Sequence, residues 1–137
     1  MSRWLVKSEP FKYSWERMIA DGTTHWDGVR NYQASNNLKA MRLGDRAFFY
    51  HSNEGVEVVG VVEVAREYYP DPSDVTGRFG MVDMKALMPV KTPVTLKRIK
   101  ADPLLSKMAL VRQSRLSVCP VAGDEWERIC ELAGIDA

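Results

Sequence analysis

Histidine and cysteine are scarce in this chain, each occurring twice. His25, His51, Cys119 and Cys130 have no spacing that would chelate a metal or build a disulfide framework. No metal site and no cofactor is therefore expected. A glycine-rich phosphate loop, a GxSxG elbow and a usefully spaced pair of carboxylates are all missing too, which removes the commonest routes to nucleotide hydrolysis and acyl transfer. Long apolar runs are also lacking. The longest, residues 56–64, is broken by Glu57, Gly60 and Glu63, whereas a membrane span needs roughly 18 apolar residues. The opening MSRWLVKSEP has no apolar h-region. The expected setting is a reduced, cytoplasmic compartment (or the nucleus in a eukaryote), with no membrane partner.

Net charge is nearly absent as well. Nineteen Lys and Arg face eighteen Asp and Glu, leaving +1. Coating nucleic acid by counterion release calls for a basic excess, so nonspecific binding of that kind is disfavoured. The charges are unevenly spread, however. Residues 91–107 carry Lys91, Lys97, Arg98, Lys100 and Lys107 against Asp102 alone, and Arg112 and Arg115 follow. Residues 124–137 carry five acids against Arg128. Two readings stay open: two solvated faces of opposite sign, or a local patch that faces phosphate.

What is present is a core. Apolar residues make up 45% of 137, enough for one domain spanning residues 1–137. RWLVK reads as a strand ended by Pro10, and Ser14 as the cap of a short helix over 15–20, stopped by Asp21-Gly22. Residues 32–41 have helical character. RAFFYHS, VEVVGVVEV, MVDMKALMPV and RLSVC read as strands, with a hairpin-type turn at Asn53-Glu54-Gly55 and a bend at Gly60. PDPSD is a loop, and residues 95–100 form a short helix. Asp102-Pro103 opens another helix, and Asp124 caps the last. Strands outnumber long helices, which predicts an α+β fold: a curved, mostly antiparallel β-barrel with short helices covering its openings.

The most informative stretch is WDGVRNYQASNN, residues 26–37. It is too polar for a core and too aromatic for an idle loop. Amides pair with base edges because donor and acceptor share one plane, and aromatic rings stack on bases with little regard to sequence. Helix capping accounts for Asn31 but not for Asn36 and Asn37 within helical territory, where Asn is a poor choice. Three further clusters compete with structural explanations. Lys7-Ser8-Glu9 contains the elements of an activated nucleophile, yet strand neighbours point to opposite faces. In FFYHSN, alternation separates His51 from Ser52, so they make a poor nucleophile–base pair. Arg112, Gln113 and Arg115 precede a strand, where Arg either clamps phosphate or is simply solvated.

Taken together, WLVKSEP, YSW, WDGVRNYQASNN, GDRAFFYHSN, GVVEV, REYYPDP, PVTL and SRLSVCPV resemble the EVE domain family, in order and over nearly the whole chain. The resemblance implies a PUA-like barrel, in the broad group of the YTH domains that hold a methylated adenine in an aromatic cage. It implies a noncatalytic reader of a modified base in DNA or RNA, probed by base flipping. By this resemblance Trp26 is one wall of the base pocket, and Ser8, Asn31, Asn36, His51 and Ser52 are polar positions around it. Phe79, where relatives often carry Trp, is the candidate second wall. Arg30, Arg112 and Arg115 are the candidate phosphate contacts. The chain departs from the family pattern at Ser35 for a basic residue, Cys119 for Gln and Arg3 for an aromatic. The alternative function is a small hydrolase of a modified nucleoside using Lys7, Ser8 and Glu9. A monomer is expected.

Overall fold

The computed structural model describes residues 1–137. Its elements run β1 (Arg3–Ser8), α1 (Trp15–Asp21), β2 (Thr23–Trp26), α2 (Tyr32–Ala40), β3 (Arg46–His51), β4 (Glu57–Pro70), β5 (Gly80–Thr95), α3 (Leu96–Ala101), α4 (Ala109–Arg112), β6 (Val118–Val121) and α5 (Gly123–Ala133). The helix boundaries follow local chemistry. Ser14 accepts from Arg17 N to start α1, and Gly22, at φ 75°, ends it. Asn31 accepts from Ala34 N to start α2, and Thr95 accepts from Arg98 N to start α3.

The strands form one six-stranded mixed sheet in the order β2-β5-β4-β3-β1-β6. β1 and β3 pair in parallel, and the other neighbours are antiparallel. β2 and β6 are its two edges, so the hydrogen-bond ladder is open and does not form the closed barrel expected from the sequence. Both edge strands are only four residues long. Helix α2 touches both β5 and β6, and its Asn37 Nδ2 donates to Val118 O at 2.7 Å. A helix thus bonds to one edge strand where a barrel would need strand pairing. A core of 34 buried residues fills the interior, and α5 closes one side by stacking Trp126 on Phe48 with centroids 3.9 Å apart.

Three local expectations are corrected. β2 is an addition to the expected strands: TTHW has strand-favouring Thr and Trp but is only four residues long, and pairing with β5 fixes it. Residues 102–108 form turns rather than a helix, since Asp102 turns its carboxylate to Leu104 N and Arg128 Nε. Asp124 lies inside α5, whose N-cap is Ala122, held by Glu125 Oε1 accepting from Ala122 N.

Gly60 does more than bend its strand. Phe49 pairs with Gly60 and Tyr50 with Val58, leaving Val59 as the extra residue of a bulge. The Trp15 indole lies directly over Gly60, where a Cβ would come within 2.4 Å of the ring. Trp15 is itself wedged edge-on against Phe49 at 5.2 Å, so it has little room to withdraw. Gly60→Ala is expected to destabilise the fold by about 1–3 kcal/mol through overpacking, read as a lower denaturant midpoint at unchanged slope.

Candidate nucleic-acid interface

The ends of three elements meet at one cleft. Ser8 closes β1, Trp26 closes β2 and Asn31 caps α2. Together with Arg30 they line an open cavity of about 560 Å³. Trp26 is 9% exposed. Phe49 packs against it edge-to-face at 5.7 Å and Tyr13 at 6.5 Å, and its remaining surface lines the cleft. Ser8 Oγ donates to Tyr13 O at 2.5 Å, which braces the turn before α1. The charged residues of the cleft are Lys7, Lys12, Arg17 and Arg30 against Glu9 and Asp27. This cavity is more basic than the near-neutral chain around it.

Asn31 has two functions available from one side chain. Its Oδ1 accepts from Ala34 N at 2.9 Å to cap α2. Its Nδ2 bonds nothing in the chain and is left as a donor at the cleft wall.

The other residues singled out from the sequence lie elsewhere. His51 is not at the cleft: its Nε2 accepts from Trp15 N at 3.0 Å, at the start of α1. Burial lowers the His51 pKa against the opposing pull of Glu57 and Glu16, in keeping with a neutral acceptor. Asn36 is exposed on α2 and does not line the cleft. Ser52 and Arg115 line a second cavity of about 560 Å³, which shares Lys7, Glu9 and Ser117 with the first. Arg112 donates from Nε to Lys107 O at 2.7 Å and lines a recess that reaches Asn31. Phe79 lies against Tyr32 at 5.0 Å, with the Arg30 guanidinium 5.8 Å above its ring. It supports Arg30 rather than facing Trp26 across the cleft.

Lys7, Ser8 and Glu9 do not act on one another. Lys7 Nζ donates to Ser114 O at 2.8 Å. Ser8 gives its proton to a carbonyl, and Glu9 accepts from Asn53 Nδ2 at 2.6 Å and pairs with Lys12 at 3.3 Å. No base is placed to take the Ser8 proton.

Two contributors are not singled out by the sequence. Tyr13 stands in the YSW motif without a role that its neighbours would suggest. Asp71 reads as loop, yet its carboxylate is 1% exposed and organises the cleft wall. It accepts from Gly28 N at 2.9 Å, Arg30 Nη1 at 3.2 Å and both N and Oγ of Ser73. Burial alone would raise its pKa, but the Ser73, Gly28 and Arg30 hydrogen bonds outweigh burial and hold it at about 2. The signal that could have found it is Asp-Pro-Ser, an Asx-turn pattern.

Comparison with known proteins identifies the family. The EVE domain family model matches residues 2–132, and the chain belongs to the EVE domain family. Thymocyte nuclear protein 1 of Gallus gallus is 36% identical, covering 94% of this chain and 67% of that protein. A Rhodopseudomonas palustris protein solved by NMR is 54% identical, with TM-score 0.93 over 98% of this chain and 94% of its own. Human THYN1, crystallised in complex with 5-methylcytosine-containing DNA, is 33% identical, with TM-score 0.91 and full coverage of both chains.

Because the Asp71 pKa is depressed, its contribution to stability is complete above the ordinary value of 3.8 and is lost as pH falls toward about 2. Asp71→Asn is expected to lower stability at neutral pH and to flatten the acid limb of a pH-resolved unfolding series. An acid limb unchanged in the variant would show that Asp71 does not organise the cleft wall.

Proposed function

We propose that this chain is a noncatalytic reader of a modified base in DNA or RNA, which it takes into the Trp26 cleft as a flipped or single-stranded base. The observation that carries this reading is the convergence of two separate segments, Ser8 at the end of β1 and Trp26, Arg30 and Asn31 of the WDGVRN stretch, on one basic cleft. The human relative crystallised with 5-methylcytosine DNA supports it. Ring, amide donor and cation are the three groups needed to stack a base, sense its edge and hold its phosphate. The hydrolase reading is disfavoured because Lys7, Ser8 and Glu9 each bond elsewhere. The chain works as one domain and as a monomer, in the cytoplasm of a bacterium or the nucleus of a eukaryote.

Magnitudes set the design. Stacking supplies about 1–3 kcal/mol per base and a good amide pair about 1–3 more. Extrusion from a duplex costs a few kcal/mol, so the cleft alone binds weakly. A buried methyl adds about 0.8 kcal/mol, roughly a fourfold preference. Greater selectivity comes from close fit and from a flanking phosphate grip, for which Arg30 is placed at the cleft and Arg112 and Arg115 in the adjoining recess.

Two variants separate wall from edge. Trp26→Ala is expected to weaken binding to every base by about 1–3 kcal/mol. Asn31→Asp keeps the helix cap, since Asp caps as well as Asn, but removes the donor. It should therefore lose affinity unevenly across bases. Calorimetry against modified and unmodified oligonucleotides reads both. Unchanged affinity in folded Trp26→Ala, with turnover of a modified nucleoside that depends on Lys7, would establish the hydrolase instead.

Few phosphate contacts mean modest salt dependence. Two or three contacts give a log–log slope of roughly −2 to −3. A titration slope near −8 would place the basic 91–115 region in the interface as a major contributor.

A further inference from the structure

We propose that Phe11 is a wedge that fills the gap left in a base-paired stack when the neighbouring base enters the cleft, which makes the preferred ligand a duplex. The inference rests on the cleft being a base pocket. Phe11 is a large apolar side chain, 75% exposed, and its position rather than its exposure sets it apart. It stands in a turn closed by Lys12 N and Tyr13 N, both donating to Glu9 O at 3.0 and 2.9 Å. Glu9, Lys12 and Tyr13 line the cleft, so this turn is the cleft's rim.

The rim is braced from both sides. Ser8 Oγ holds Tyr13 O, and Asn53 Nδ2 holds Glu9 Oε1. Pro10 fixes the backbone immediately before the phenyl group. Phe11 is thus presented from a stiff support, as insertion requires. Beside it, Lys12 and Arg17 keep side chains that are 76% and 66% exposed, placed to meet the phosphates that flank an opened step. Extruding a base leaves an unfilled step in the stack, and apolar side chains such as Phe are inserted between base steps by proteins that deform duplexes. A single-stranded ligand has no such gap and gains nothing from Phe11. Val75, 98% exposed on the loop between β4 and β5, is not flanked by cleft-lining residues and serves as the comparison.

The test uses the full chain and duplexes carrying a single 5-methylcytosine or N6-methyladenine, with the matching modified single strands, all at one ionic strength. Phe11→Ser is expected to weaken the duplex it reads about tenfold, the scale of losing one large buried apolar side chain, and to leave the single strand unchanged. Val75→Ser should leave both unchanged, and thermal melts of both variants should overlay the parent. The wedge is overturned by equal loss on both strand forms, by no loss on the duplex, by loss with Val75→Ser instead, or by a parent protein that binds no duplex of the set. Trp26→Ala separates the two levels. If it binds both forms like the parent, the base-pocket reading itself fails. If it is damaged while Phe11→Ser is silent, only the wedge fails.

Discussion

A buried carboxylate must be satisfied or it destabilises the fold, and Asp71 meets that constraint by drawing two chain segments together. Its partners are Gly28 N, the Arg30 guanidinium and the Ser73 backbone and hydroxyl. One group therefore links the WDGVR segment to the loop after β4 and fixes the Arg30 guanidinium against that loop. Phe79 and Tyr32 then pack where Arg30 has been placed. Phe79, a cage wall by family resemblance, is better understood as part of the support behind a cation.

The opposite side of the cleft is held by different means. Ser8 and Glu9 brace the turn through Tyr13 and Asn53. His51, next to Ser52 at the end of β3, anchors the start of α1 through Trp15 N. Trp15 in turn lies over Gly60, in a space that any side chain at that position would occupy. Polar residues that resemble ligand contacts in the sequence thus divide into two sets. Ser8, Asn31 and Arg30 reach the cleft, while His51 holds the element on which the rim is built.

Much of this is legible in the residues. The strands RWLVK and RAFFYHS and the Ser14 and Asn31 caps follow from periodicity and capping chemistry, and residues 26–31 of the WDGVRNYQ stretch line the cleft. The open ladder is not legible, because closure depends on which edges meet in space and α2 bonds to β6 through Asn37. β2 escapes notice since its four residues, despite strand-favouring Thr and Trp, are too few to stand out and depend on β5. Asp71 escapes because a carboxylate in a Pro- and Ser-containing loop reads as solvated until its burial is known.

The position of β2 in the sheet has a bearing on motion. It is a four-residue edge strand paired on one side only, and Trp26 is its last residue. Fraying begins at such edges, where few backbone bonds must break for a segment to open. The ring at the cleft is therefore carried by a short edge strand and is held by its packing on Phe49 and Tyr13, while β1, β3, β4 and β5 are paired on both sides. Trp26 thus ties the cleft to the interior, because its strand is an edge of the sheet while its ring belongs to the 34-residue core.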